Sequence, residues 1–356
     1  MLGLSFVSQK NAISRIRIQN PLDSISERIQ NLYYFDLPYF PPHLKALQDT
    51  SFIVFRAKAN VHILNDLKTV RSRFPNVKLI LDNDDLIWFD LLPDWNHLKP
   101  NFAKFTEIDR IHEVEWMNLM NMKTFSTQFL RDWVWNNLHR GPSCIIPNTV
   151  QKALWMSPEK TVNKDIKVPR VVYSGSSTHF HNQNKLYGDW TEEWAAWVIE
   201  SVKSHRIEFH CIGSLPWFFE CIKDKMKVYP WTPYSSLPGL IRKIDPHFSI
   251  NPLVDHIFNK CKSDIKLVEA SASECICFGS SFPDSPYLQC QITAPVDVSK
   301  DEIERKIRDA CDKSNFERML KAQRKWMEQE GRWTESLENI KRWTTALIGP
   351  GALDAK

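Results

Sequence analysis

The sequence predicts an α/β protein built as two Rossmann-like domains facing a cleft, and three observations predict it. At 356 residues the chain is too long for one core and fits two domains of about 150 residues each. Short apolar runs suited to buried strands alternate with stretches of helical spacing, which is the pattern of parallel sheets. Polar clusters close several of these runs, at the carboxyl edges where open α/β sheets place their ligands.

The first domain is expected over residues 1–150. Leu2 to Val7 is the first strand, and Ser14 to Leu22 reads as a loop leading into a helix from Ser24, with Arg15 and Arg17 offered to an acceptor or a phosphate. Phe52-Ile53-Val54-Phe55 is a second, buried strand, Val61 to Phe74 has helical spacing, and Val77 to Leu81 is a third strand. That strand runs into Asp82-Asn83-Asp84-Asp85-Leu86-Ile87-Trp88. Grouping like charges raises at least one carboxyl pKa toward values useful to a base, so Asp84 and Asp85 are catalytic candidates and Asp82 and Trp88 candidates for holding an acceptor. Capping and a solvated turn are the plainer use of the same residues. Glu107 to Leu119 is helical, Met122 to Ser126 is a strand, and Cys144 to Val150 is the last.

A polar connector over residues 151–168 leads to the second domain, residues 169–330. Val171 to His179 is a strand running into small residues, where Gly175 and Ser176 allow close backbone approach to a phosphate or sugar and His179 stands at the edge. Trp190, Trp194 and Trp197 recur at near-helical spacing and predict core packing. Strands follow at Ile207 to Gly213 and Val228 to Trp231, and Tyr234 to Leu240 leads into a helix. His247-Phe248-Ser249-Ile250 is a strand closed by Asn251-Pro252, since proline removes a ladder donor. Ser263 is a plausible N-cap for a helix carrying Ile265, Val268 and Ala272 on one face, and Cys275 to Phe278 is a buried strand. Gln291 to Thr293 is an edge strand, Asp301 to Ala310 and Phe316 to Glu330 are helices, and residues 331–356 form an apolar tail with Trp333, Leu337, Ile340, Trp343 and Leu347.

Asn259, Lys260, Lys262 and Ser263 crowd just before the helix beginning near Ile265, where unpaired N–H groups and lysine charge favour an anion such as phosphate. Lys266 adds a further cation. Glu269 lies about 9 Å of helical rise from Ser263, where a carboxylate can accept hydrogen bonds from a sugar diol. A nucleotide diphosphate satisfies both features.

These residues resemble a known pattern. Phe258-Asn259-Lys260-Cys261-Lys262-Ser263, Lys266 and Glu269 look like the donor-binding segment of GT-B glycosyltransferases of the group 1, family 4-like kind, written FNxxKSxxKxxE. Asp82 to Trp88 is similar to the DxDDLxW stretch of many group 1 enzymes, several of them phage-encoded. Ile146-Pro147-Asn148-Thr149-Val150 resembles the family's IPNGVD, and Gly175 to His179 its GSxTH. Cys261 stands where the family often has a first, sugar-binding glutamate. The resemblance implies that the lysine region faces the donor diphosphate, that Glu269 binds the nucleotide ribose, and that the last helix crosses back to the first domain. It further implies sugar transfer from a nucleotide diphosphate sugar such as a UDP-sugar to an acceptor hydroxyl, retaining and metal-independent, with no cofactor beyond the nucleotide sugar. Phage-like relatives point to a hydroxymethylated base in double-stranded DNA as acceptor. A surface glycan or a lipid is the alternative acceptor, and a non-catalytic nucleotide-binding protein the alternative class.

Composition bounds these expectations. With 46 basic and 42 acidic residues, net +4, charge alone makes no case for DNA. Eight cysteines without paired CxxC spacing read as reduced core thiols of a cytoplasmic protein, and Cys275-Ile276-Cys277 lacks a second ligand pair for zinc. Met1 to Val7 has no basic n-region and is not expected to be a signal peptide. No apolar run reaches the length of a membrane span, so no stable membrane insertion is expected.

Overall fold

The computed structural model describes residues 2–7, 12–25, 30–35, 45–56, 61–86, 91–102 and 106–349. These residues form two parallel sheets of six strands each. In the first, β1 (Leu2–Val7), β2 (Gln30–Phe35), β3 (Thr50–Arg56), β4 (Lys78–Asn83), β5 (Met122–Phe125) and β6 (Ser143–Ile145) lie in the order 2-1-3-4-5-6. In the second, β7 (Arg170–Gly175), β8 (Glu208–Gly213), β9 (Lys227–Tyr229), β10 (Phe248–Asn251), β11 (Ile276–Ser281) and β12 (Ile292–Pro295) lie in the order 12-11-10-7-8-9. The second order is that of a doubly wound dinucleotide-type sheet, and its direction reverses between β7 and β10, the point at which such sheets open a ligand crevice.

Both faces of each sheet are covered, which is why the strands are near-continuous apolar runs. In β3, Phe52, Ile53, Val54 and Phe55 are all buried. Ile53 and Phe55 pack against Leu64, Leu67 and Val70 of the helix Val61–Arg73 and against Trp116 and Met117 of the helix Glu107–Leu119. Phe52 and Val54 face the opposite way, toward Ile18, Leu22, Trp343, Ala346 and Leu347. The helix Leu337–Ile348 at the end of the chain therefore lies on the first sheet, although it follows the second in sequence. On the second sheet, Trp190, Trp194 and Trp197 are buried with Val171, Phe209, Phe248 and Phe278 on one face. Val172 and Ile212 meet Leu237, Ile241 and Val268 on the other.

Four sequence expectations change. The Ser14 to Leu22 loop is helical: Ala12–Ser14, a π turn over Arg15–Gln19, and Asn20–Asp23 run on continuously, and Ser24 ends this helix instead of starting one. Pro21 has no N–H to give the ladder, and the ladder widens just before it, Asn20 donating to the carbonyl of Arg15 five residues back. Strand β2 was not expected. Strand β6 stops at Ile145, two residues before Pro147, so the remainder of the expected Cys144 to Val150 strand is irregular. The helix Ile265–Ala272 is capped at Asp264 with no side-chain cap bond, because the Ser263 hydroxyl is engaged elsewhere.

Candidate functional site

At the reversal point of the second sheet, a cavity of about 500 Å³ opens beside the ends of β7 and β8. Its walls include Gly175, Ser176, His179, Gly213, Trp231, Tyr234, Lys266 and Glu269, with Arg15 entering from the first domain. The sequence shapes this wall in three ways. Gly213, at φ +99°, ends β8 beside its register partner Gly175, and a Cβ on it would stand 2.4 Å from the Gly175 carbonyl oxygen, so the two strand ends approach as only glycine permits. Ser176 caps a single 3-10 turn, Ser177–His179, which carries the imidazole to the cavity edge. The helix Ile265–Ala272 sets Lys266 and Glu269 three residues apart on one face, where they form a 2.8 Å ion pair.

Behind this wall is a buried polar group. Asp189, 1% exposed, accepts from Nδ1 of His179 at 2.8 Å and from Nδ2 of Asn259 at 2.6 Å, and Lys262 Nζ stands 3.5 Å away. Burial opposes its ionisation, but Lys262 and the bonds from His179 and Asn259 outweigh burial and hold its carboxyl below the ordinary value. Burial and the nearby Lys262 charge push His179 below its ordinary value, against the pull of Asp189, so the imidazole is neutral near pH 7. The Lys262 ammonium also sits 4.8 Å from the Phe258 ring centroid.

The carboxylates of the first domain divide. Asp82 is buried in an ion pair with Arg17, itself 1% exposed, and also accepts from Thr124 at 2.6 Å. Arg17 further donates to the Ile146 carbonyl and to Asn148. Asp84 accepts from Nδ2 of Asn148 at 3.0 Å, and that amide also donates to Ser263 Oγ at 2.7 Å. One chain of hydrogen bonds thus joins the carboxyl edge of the first sheet to the loop before the Lys266 helix. Asp85 stands apart. Burial first, and the Asp84 charge second, push its carboxyl up to about 6, with Lys262 and Arg56 pulling the other way. Its carboxyl thereby senses a lysine of the second domain.

Of the residues singled out in the sequence, Arg15, Gly175, Ser176, His179, Lys266 and Glu269 line one cavity. Asn259 and Lys262 stand behind it around Asp189, and Ser263 bonds to Asn148. Lys260 turns away, pairing with Asp255 at 2.9 Å. Arg17 and Asp82 are enclosed together, so the structure does not present either to an acceptor, and Trp88 lies outside the described residues. Sequence reasoning missed Asp189 and Trp231. Asp189 follows Gly188, whose positive φ turns the chain back on itself, and a lone Gly-Asp is too common to signal that. Trp231 read as the end of a strand, yet Pro230 stops β9 at Tyr229 and leaves the indole 63% exposed on the cavity wall.

Among the described residues no group of three or more His, Cys, Asp or Glu is arranged to hold a metal ion, and no helix is long and apolar enough to cross a membrane. No family model and no curated protein matches the chain. Solved structures do. A sucrose-phosphate synthase from Thermosynechococcus elongatus is similar over 96% of both chains, at TM-score 0.58 and 9% identity. OtsA in its apo form is similar over 98% of this chain and 99% of its own, at TM-score 0.57 and 9% identity. An alpha-glucosyltransferase in complex with UDP covers 92% of this chain and 96% of its own, again at TM-score 0.57 and 9% identity. At such identities the likeness is one of fold: two parallel six-stranded sheets with their helices, arranged as in GT-B glycosyltransferases.

Proposed function

We propose that the protein is a glycosyltransferase that moves a sugar from a nucleotide diphosphate sugar, a UDP-sugar, to an acceptor hydroxyl. The observation that carries this reading is the cavity at the reversal point of the second sheet, where Arg15 of one domain meets His179, Lys266 and Glu269 of the other. Arg15 and Lys266 supply positive charge for a diphosphate, Glu269 offers acceptor oxygens to a ribose diol, and the exposed face of Trp231 suits a base. Solved structures of the same fold include complexes with UDP.

In this reading the glycosidic bond to the diphosphate breaks as a bond to the acceptor oxygen forms. Arg15 and Lys266 stabilise the charge gathering on the leaving diphosphate, with Lys262 adding positive charge from behind the wall, the work a metal does elsewhere, so transfer proceeds without a divalent cation. Asp85, poised to titrate at about 6, accepts the hydrogen bond of the acceptor hydroxyl and draws off its proton, with Asp84 held beside it by Asn148. The neutral His179 offers its second ring nitrogen to the sugar. By resemblance the sugar keeps its anomeric configuration.

For the acceptor we favour a hydroxymethylated base in duplex phage DNA, which would be flipped and stacked to reach the cleft. Such an acceptor calls for first-domain cations along the cleft, and those present are only partly disposed for it. Arg15 reaches the cavity, Arg17 is buried, Arg71 bonds to Asn121 and the Leu119 carbonyl, and Lys58 lies outside the described residues. Incubation with several UDP-sugars and DNA containing 5-hydroxymethylcytosine, followed by digestion to nucleosides and mass measurement, tests donor and acceptor together. A mass gain of one hexose or pentose supports the reading. Transfer to a glycan or lipid instead moves the acceptor, and nucleotide binding without transfer or hydrolysis ends the assignment as an enzyme.

A further inference from the structure

Asp189 belongs to no motif recognised in the sequence, yet three functional candidates converge on it. The turn that delivers it is built for the purpose. His181 and Leu186 bridge a short hairpin, Gly188 takes a positive φ where a Cβ would strike the His179 carbonyl at 2.4 Å, and the Asp189 amide donates to that same carbonyl at 2.8 Å. The carboxylate is thereby returned to the histidine that stands ten residues earlier.

We propose that Asp189 is the positioning residue of the cavity, fixing His179 in the one tautomer that turns an acceptor nitrogen toward a bound donor and holding Lys262 and Asn259 in register with it. The proposal deepens the glycosyltransferase reading and, for its effect on turnover, rests on it. The chemistry of the contact decides the tautomer. An ionised carboxylate has no proton to give, so at 2.8 Å the Nδ1 of His179 must be the donor. Nε2 is then left unprotonated, on a ring that lines the cavity. Lys262 also approaches Nδ1, at 3.4 Å, but a protonated nitrogen cannot accept, so that approach is charge beside a ring and the lysine is held by the carboxylate. Asn259 anchors the other oxygen of Asp189 and donates as well to the Val254 carbonyl at 2.9 Å, tying the carboxylate to the segment that follows β10. A neutral Nε2 can accept from a sugar hydroxyl, whereas the opposite tautomer would present a donor there.

The test uses the full chain with ¹⁵N-labelled histidine, the His179 signals being those lost in His179→Asn. The long-range ¹H–¹⁵N spectrum should show His179 protonated at Nδ1 and not at Nε2 at neutral pH. In Asp189→Asn that preference should weaken or invert. The charged groups facing the ring are Asp189, Lys262 and Lys266, so removing the only anion among them should move the His179 titration to lower pH. With a UDP-sugar as substrate, Asp189→Asn should lower kcat about 10- to 100-fold while KM for the donor changes less than about threefold, the size range of an acid–base or orienting contribution. An Nε2-protonated His179 in the unsubstituted protein overturns the proposal, whether or not the variant folds. So does a variant whose His179 titration and kcat are unchanged. If the unsubstituted protein binds no nucleotide diphosphate, the glycosyltransferase reading falls, and the ring spectrum still decides the role of Asp189 in placing His179.

Discussion

Asp85 and Lys262 come from different domains, and the charge of the lysine lowers the carboxyl pKa of Asp85 against its burial. Because the folded state favours the protonated form of Asp85, raising its carboxyl to about 6, the contribution of this group to stability is fully present below the ordinary carboxylate pKa near 4 and is lost as pH climbs from about 4 to about 6. Asp85→Asn removes that slope, so its urea midpoint at pH 7 should equal or exceed that of the unsubstituted chain, while sugar transfer falls by about two orders of magnitude and nucleotide affinity holds. In the unsubstituted protein, transfer should rise through pH 6 as the carboxylate ionises. On the donor side, Lys266→Ala and Glu269→Ala should each weaken UDP binding by about 1.5–3 kcal/mol, the worth of a charge-assisted hydrogen bond. Calorimetry showing both variants binding like the unsubstituted protein would place the donor elsewhere.

At the scale of elements, the donor wall depends on two strand ends meeting. Gly213→Ala forces a Cβ to 2.4 Å from a backbone oxygen at a φ that side chains avoid, so it should destabilise the fold by about 1–3 kcal/mol and lower nucleotide affinity as Gly175 is displaced. Thermal unfolding and calorimetry on the same sample read both. The same elements show what the sequence could disclose. Runs such as Phe52 to Phe55 and Cys275 to Phe278 are apolar on both faces, so their burial was legible, as was the amphipathic spacing of Val61 to Phe74. Lys266 and Glu269 were legible because helical spacing alone puts them on one face. The helix containing Arg15 and Arg17 was not, because its arginines alternate with isoleucines like a strand or loop. Only the fold shows that Arg17 points into the core at Asp82 while Arg15 points to the cavity. Asp189 and Asn148 were illegible for a different reason, since Asp189 is tied to Asn259, 70 residues on, and Asn148 to Asp84 and Ser263, 64 and 115 residues away.

Across the whole molecule, the helix Leu337–Ile348 completes the core of the first domain with residues from the far end of the chain. Trp343 is 1% exposed there, among Ile18, Leu22, Phe52 and Ile80. Trp343→Ala should cost about 3–5 kcal/mol, read as an earlier urea transition of the first domain, with the second domain's intrinsic fluorescence transition less affected. This arrangement has a mechanical consequence. The chain crosses between the domains twice, outward after Val150 and back at Arg332, and the two crossings are stitched together: Val150 donates to the Arg332 carbonyl at 3.1 Å and Thr334 donates to the Val150 carbonyl at 2.9 Å. Two tethers joined at one place hold the outgoing and returning chain within hydrogen-bond distance, so a pull on either crossing is shared by the other.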